Sequence, residues 1–208
     1  MGATVYQLRR DVLAVHEQAE AAIALSTEQG FPLYAAMGTS CRGWALAMQG
    51  QGEAGMAQIR QGIDAYRATG AAALVPYFCT WLAEVSAHLG HPSDGLQALA
   101  EAHTLVEQHE ERFWEAEICR LRGVLLLQQP GTPQAEAEAW LQRALDVARR
   151  QEAKSLELRA AMSLSRLWHQ QEKRQAAYDL LAEVYAWFTE GFDPADVRDA
   201  KILLEELT

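Results

Sequence analysis

The chain has 208 residues, half of them hydrophobic, and its 28 acidic against 18 basic side chains leave a formal net charge of −10. A surface of that sign repels phosphate and anionic lipid, which argues against nucleic-acid partners and against an acidic membrane surface. The cysteines Cys41, Cys79 and Cys119 are odd in number and too far apart for a disulfide framework or a zinc site. Met1 to Tyr6 runs straight into Arg9-Arg10-Asp11, so no signal peptide is expected. The most apolar stretch, Ala71 to Val85, is interrupted by Pro76 and Glu84 and is too short for a membrane span. A cytoplasmic location follows as the expectation.

Apolar periodicity and punctuation predict ten helices over 5–29, 32–49, 53–69, 73–89, 92–109, 112–129, 133–152, 155–171, 174–190 and 194–207, with no strands. Breaks at Gly30-Phe31-Pro32, Gly50-Gln51-Gly52, Gly70-Ala71 and Gly90-His91-Pro92 separate the early helices. Later ones fall at Glu111-Arg112, Pro130 to Pro133, Ala153-Lys154 and Gln171-Glu172-Lys173. Pro92, Pro133 and Pro194 fall in expected first turns, where a missing N–H costs nothing, with Thr132 and Asp193 as N-cap candidates.

A repeat underlies this map. A small residue is followed at +4 by an aliphatic and at +7 by another small or medium residue: Gly55, Ile59, Gly62; Gly95, Leu99, Ala102; Ala137, Leu141, Ala144; Ala177, Leu181, Val184. The lead positions are 40, 42 and 40 residues apart, and these offsets put each trio on one helix face, where another helix can come close. The expectation is therefore one all-α domain over 1–208, a right-handed α-solenoid of antiparallel helix pairs that need their neighbours to bury a face. Its units are about 1–30 (partial), 31–70, 71–111, 112–153 and 154–191, with a capping helix over 192–208.

Gly43 lies twelve residues before Gly55, Ala83 twelve before Gly95 and Ser165 twelve before Ala177. This spacing resembles the tetratricopeptide signature, in which a small residue of helix A precedes the small residues of helix B. The units depart from it in being longer than the usual ~34 residues, in lacking its terminal proline, and in Gly123 standing fourteen before Ala137. A closer resemblance rests on Ala135 to Glu138, Leu145 to Gln151, Lys154 to Ala161, Trp187 to Asp193 and Ala200 to Leu207, extended by Gly43 to Ala47 and Arg60 to Gly62. These segments resemble the C-terminal tetratricopeptide region of large bacterial signalling proteins. In those proteins a class III adenylate or guanylate cyclase domain, or a kinase or DNA-binding domain, precedes an ATPase module. The resemblance covers nearly the whole chain and implies a regulatory or scaffolding role, without cyclase or ATPase activity.

Catalytic motifs are not apparent. Gly50-Gln51-Gly52 with Gly55 lacks the ending of a phosphate loop, and Gly90 breaks the helix between His88 and His91, so these two and Glu84 need not converge on a metal. His103 and His109, with Glu107 and Glu110, read as a solvated helix end. No catalytic, metal or cofactor-binding residue is expected, and the three cysteines read as small buried thiols. Trp44, Trp81, Trp114 and Trp168 fall in A helices; Trp140 and Trp187 fall in B helices and read as packed. Carrying the tetratricopeptide groove onto the anchors Gly43, Ala83, Gly123 and Ser165 gives Met37, Ser40, Trp44, Tyr77, Thr80, Glu84, Glu117, Arg120, Val124, Arg159, Met162 and Arg166 as the partner-binding face. Arg120, Arg159 and Arg166 are expected to hold a partner's carboxylates, so charge reversal at Arg159 and Arg166 should leave the fold intact. The expected partner is a protein or peptide segment, such as a cyclase or ATPase module of the same system; the alternative is a domain that senses a small-molecule effector.

Overall fold

Every twentieth residue or so, the backbone turns left-handed. Positive φ occurs at Arg10, Gly30, Gly50, Gly70, Gly90, Glu110, Gly131, Glu152 and Glu172, and each marks the end of a helix. This is the C-terminal stop that lets the last carbonyls of a helix be satisfied before the chain reverses. At Gly30 and Gly90 the cap N–H groups return to carbonyls three and four residues back. No heavy atom lies within 4 Å of the Cβ either glycine lacks, so glycine is there for its backbone freedom and not for space.

The computed structural model describes residues 2–189 and 194–208. Among them it is all helix, without strands. The helices are α1 (Gly2–Leu8), α2 (Val12–Gln29), α3 (Pro32–Met48), α4 (Gly52–Ala68), α5 (Val75–Leu89), α6 (Pro92–His109), α7 (Glu115–Gln128), α8 (Gln134–Arg150), α9 (Lys154–Gln170), α10 (Arg174–Tyr185) and α11 (Ala195–Leu207). The chain divides into two compact units, 1–111 and 112–208, where one domain was expected.

The first unit holds α1 to α6 and the second α7 to α11, and within each the helices pack against their chain neighbours. The A helices α3 and α5 also touch, as do α7 and α9, and the terminal elements join the same side: α1 packs on α3 and α11 on α9. The pairing of A with B rests on the small residues the repeat put there. A Cβ on Gly43 of α3 would lie 2.7 Å from the Gly55 carbonyl oxygen and 2.7 Å from the Ile59 nitrogen of α4. In the last repeat the Ser165 hydroxyl fills the corresponding place and donates to the Ala177 carbonyl at 2.9 Å. All twelve residues of the +4/+7 trios are buried. On the B side, the exposed pairs Arg60–Asp94 and Arg67–Glu101 join α4 to α6, and Arg149–Glu183 joins α8 to α10. Such solvated pairs set register more than they stabilise, at about 0–1 kcal/mol each.

Several expected boundaries move. The helix expected over 5–29 is two, because Arg10 turns left-handed and Asp11 caps α2 by accepting from the Ala14 N–H at 3.1 Å. Helices expected from 73 and 112 begin at Val75 and Glu115, after short turns. Pro133 and Pro194 stand at the N-cap itself with extended ψ, so the helices start one residue later and Thr132 is no cap. Asp193 lies outside the described residues, as does Glu190, the expected end of α10, which stops at Tyr185. Trp187 consequently lies beyond α10 and is 58% exposed, where a packed B-helix residue was expected.

Candidate functional site

In the first unit the expected face is formed by α3 and α5, and α5 is buried along its whole run from Val75 to Ser86. Such a run tolerates a carboxylate only with partners. Glu84 has them: it accepts from the Trp44 indole N–H of α3 at 2.8 Å and from Arg10 at 2.7 Å. Tyr77, two turns earlier on α5, donates its hydroxyl to Gln7 of α1. The Tyr77 ring sits edge-on to Trp81, centroids 4.5 Å apart, and Trp81 is tilted against Phe78 at 5.2 Å. Ser40 and Thr80 turn inward and donate to carbonyls of their own helices, Ala36 and Tyr77, while Met37 is half-buried. Of the six residues expected on this face, five are therefore buried, and Gln7 and Arg10 lie against two of them.

The second unit repeats the arrangement with the charges exchanged. Arg120 of α7 donates two hydrogen bonds to Glu117, one turn before it, from Nε at 2.8 Å and Nη2 at 2.7 Å. Its third nitrogen reaches the Ser163 hydroxyl of α9 at 3.3 Å. Arg159 of α9 is 8% exposed and pairs with Asp196 at 2.6 Å and Glu117 at 3.6 Å. Two arginines and two carboxylates thus close on one another, and the bidentate geometry foreseen for a partner is satisfied within the chain. This corrects the expectation for Arg159: as a buried ion-paired residue, it does not tolerate charge reversal silently. Met162 is buried, Val124 half-buried, and Arg166 is exposed.

Gln7, Arg10 and Asp196 were not foreseen. All three belong to terminal elements outside the full repeats, and Arg10 reaches Glu84 across 74 residues. The signal available was the charge itself: Glu84 interrupts the most apolar stretch of the chain, and a charge at such a place calls for a counter-charge.

The other candidate chemistry is absorbed by structure. Burial pushes the thiols up, Cys41 to about 12 and Cys79 and Cys119 to about 11, which makes all three poor nucleophiles. His88 uses Nδ1 on the Glu84 carbonyl at 2.8 Å, and no group of three metal-binding side chains occurs among the described residues. Of the tryptophans in the second unit, Trp168 donates to Glu138 at 2.8 Å, a bond that holds this carboxyl below its ordinary value. Trp140 lies under the Arg122 guanidinium, 4.3 Å from it, and Trp114 precedes α7 as its N-cap. No helix among the described residues is long and apolar enough to cross a membrane. Compared with known proteins, the chain matches no family model and no curated protein.

Proposed function

We propose that the chain is a non-catalytic protein-interaction module of a bacterial cytoplasmic signalling system, and that the A-helix face of each unit takes a partner segment. One observation carries this reading. On each face a charged side chain from outside the full repeats is seated on a buried counter-charge, Arg10 on Glu84 in one unit and Asp196 on Arg159 in the other. These are surfaces built to accept an added segment, with aromatic side chains and fixed charges that can fix its register. The titratable groups there are bound to one another and not poised around a cleft, which favours binding over turnover. The signalling context rests on the resemblance of Trp187 to Asp193 and the other matching segments to regions that follow cyclase and ATPase modules.

Affinity selection of a displayed peptide library on the full chain tests the proposal. Selected segments should lose affinity on Tyr77→Phe or Arg166→Glu while the melting temperature stays within a few degrees. Segments indifferent to both changes and sensitive only to substitutions on the exposed sides of α4, α6, α8 or α10 would contradict it.

A further inference from the structure

Tyr77, Trp81 and Glu84 stand at i, i+4 and i+7 on α5 and form one stripe along the helix. Residues 7 to 10 lie against its two ends, Gln7 on the Tyr77 hydroxyl and Arg10 on the Glu84 carboxylate. Between them, Trp81 is 1% exposed and its indole N–H has no acceptor among the described residues. A buried donor left unsatisfied carries a standing cost. The cis side chains therefore engage the two ends of the stripe and leave the donor between them unmet. Apolar burial holds the segment lightly: it packs on α2 and α3, but Gln7 is the single buried residue of α1 and Val5 is 56% exposed. Its hinge is strained as well, since Arg10 holds a left-handed backbone, at φ 57°, where the equivalent positions 50 and 90 are glycine.

We infer that the stripe Tyr77–Trp81–Glu84, with Trp44 bonded to its end, is a site for an arginine-bearing protein segment, and that Gln7 and Arg10 occupy its two ends in cis until such a segment displaces them. The inference rests on the proposed function and names the partner chemistry of one of its faces. Glu84, oriented by the Trp44 N–H, takes the guanidinium; the Tyr77 hydroxyl takes a side-chain or main-chain acceptor. The Trp81 N–H takes a carbonyl that the cis segment does not supply, and this bond gives the incoming segment its advantage. The planar guanidinium suits a carboxylate set among aromatic rings better than the compact, strongly hydrated ammonium of lysine does.

The test uses the full chain and a blocked synthetic peptide copying Gly2–Asp11. Arg10→Ala in the chain removes the cis guanidinium from Glu84, so the peptide should bind this variant at least tenfold more tightly than the unaltered chain. The same peptide carrying alanine in place of its second arginine should lose at least tenfold of that affinity. In a nitrogen-15 spectrum of the indole groups, the Trp44 N–H signal, which reports on Glu84, should move on binding. Should Arg10→Ala disturb the fold by circular dichroism, Gln7→Ala releases the other end and must give the same ordering. Equal affinity for variant and unaltered chain, no binding to the folded variant, or movement of other indole signals alone would overturn the inference. Library segments that lack arginine yet bind α3 and α5 would also overturn it, while leaving the proposed function standing; failure to select any segment would defeat that proposal itself.

Discussion

Gly43→Ala adds one methyl group and should cost more stability than most core deletions of that size. Its Cβ would sit 2.7 Å from the Gly55 carbonyl oxygen, 2.7 Å from the Ile59 nitrogen and 2.9 Å from Ile59 Cγ1. Two of these three atoms are backbone, so no side-chain rotation relieves the clash. Restoring an ordinary 3.4 Å contact requires the α3–α4 seam to open by 3.4 − 2.7 = 0.7 Å. A gap of that size forfeits roughly a quarter to a half of each dispersion contact across the seam. Overpacking of this kind costs about 1–3 kcal/mol, and the backbone neighbours put it at the upper end. Alanine returns about 1 kcal/mol of helix propensity. The net loss is about 2 kcal/mol, a fall in melting temperature of about 4–8 °C for a chain of this length. Gly52→Ala is the internal control, because the three atoms nearest the Cβ there all belong to the side chain of Leu89, whose flexible end can move aside. Thermal unfolding followed by circular dichroism reads both. An unchanged or raised melting temperature for Gly43→Ala would refute the close-packed seam, since it would mean that propensity alone decides.

Glu172 holds a left-handed backbone at φ 62°, a conformation that costs a non-glycine residue roughly 1–2 kcal/mol. Glu172→Gly should therefore raise the denaturation midpoint by up to about 1 kcal/mol equivalent, after the entropy that glycine adds to the unfolded chain; a lowered midpoint would count against the cap. Arg159→Glu should destabilise the second unit by about 3–5 kcal/mol, because it sets a third carboxylate against the buried Asp196 and Glu117 in place of the cation they share; an unchanged melting temperature would place Arg159 in solvent. At Glu157 burial works to raise the pKa, but hydrogen bonds from Lys154 and Arg149 outweigh it and hold the carboxyl below 4.5. A depressed folded-state pKa stabilises above the unfolded value, and that contribution fades as pH falls from about 4.5 through the lower folded value. Glu157→Gln should thus lower stability at pH 7 and flatten its loss in acid; parallel stability–pH curves would show that the carboxylate contributes nothing.

The fold was legible because its signals are local and periodic. Small residues at +4 and +7, glycine near most breaks and prolines near helix starts mark most helix breaks and the pairing over short distances. What escaped was either backbone or long-range. Arg10, Glu110, Glu152 and Glu172 turn left-handed without the glycine that announces such a turn, and this hid the division between α1 and α2. On the candidate face, Trp44 bonds to Glu84, and Tyr77 lies two turns before Glu84 on the same helix. The groove offsets did not show that Gln7 and Arg10 already lie there, or that Asp196 takes Arg159, since pairs 70, 74 and 37 residues apart leave no periodic trace.

Amide hydrogen exchange on the full chain with a selected segment bound tests the central claim, that the A-helix faces are the functional surface. The account predicts added protection in α3 and α5, or in α7 and α9, together with faster exchange over the terminal element that the segment replaces, residues 2–10 in the first unit or α11 in the second. Protection confined to α4, α6, α8 and α10, with the terminal elements unchanged, would contradict it.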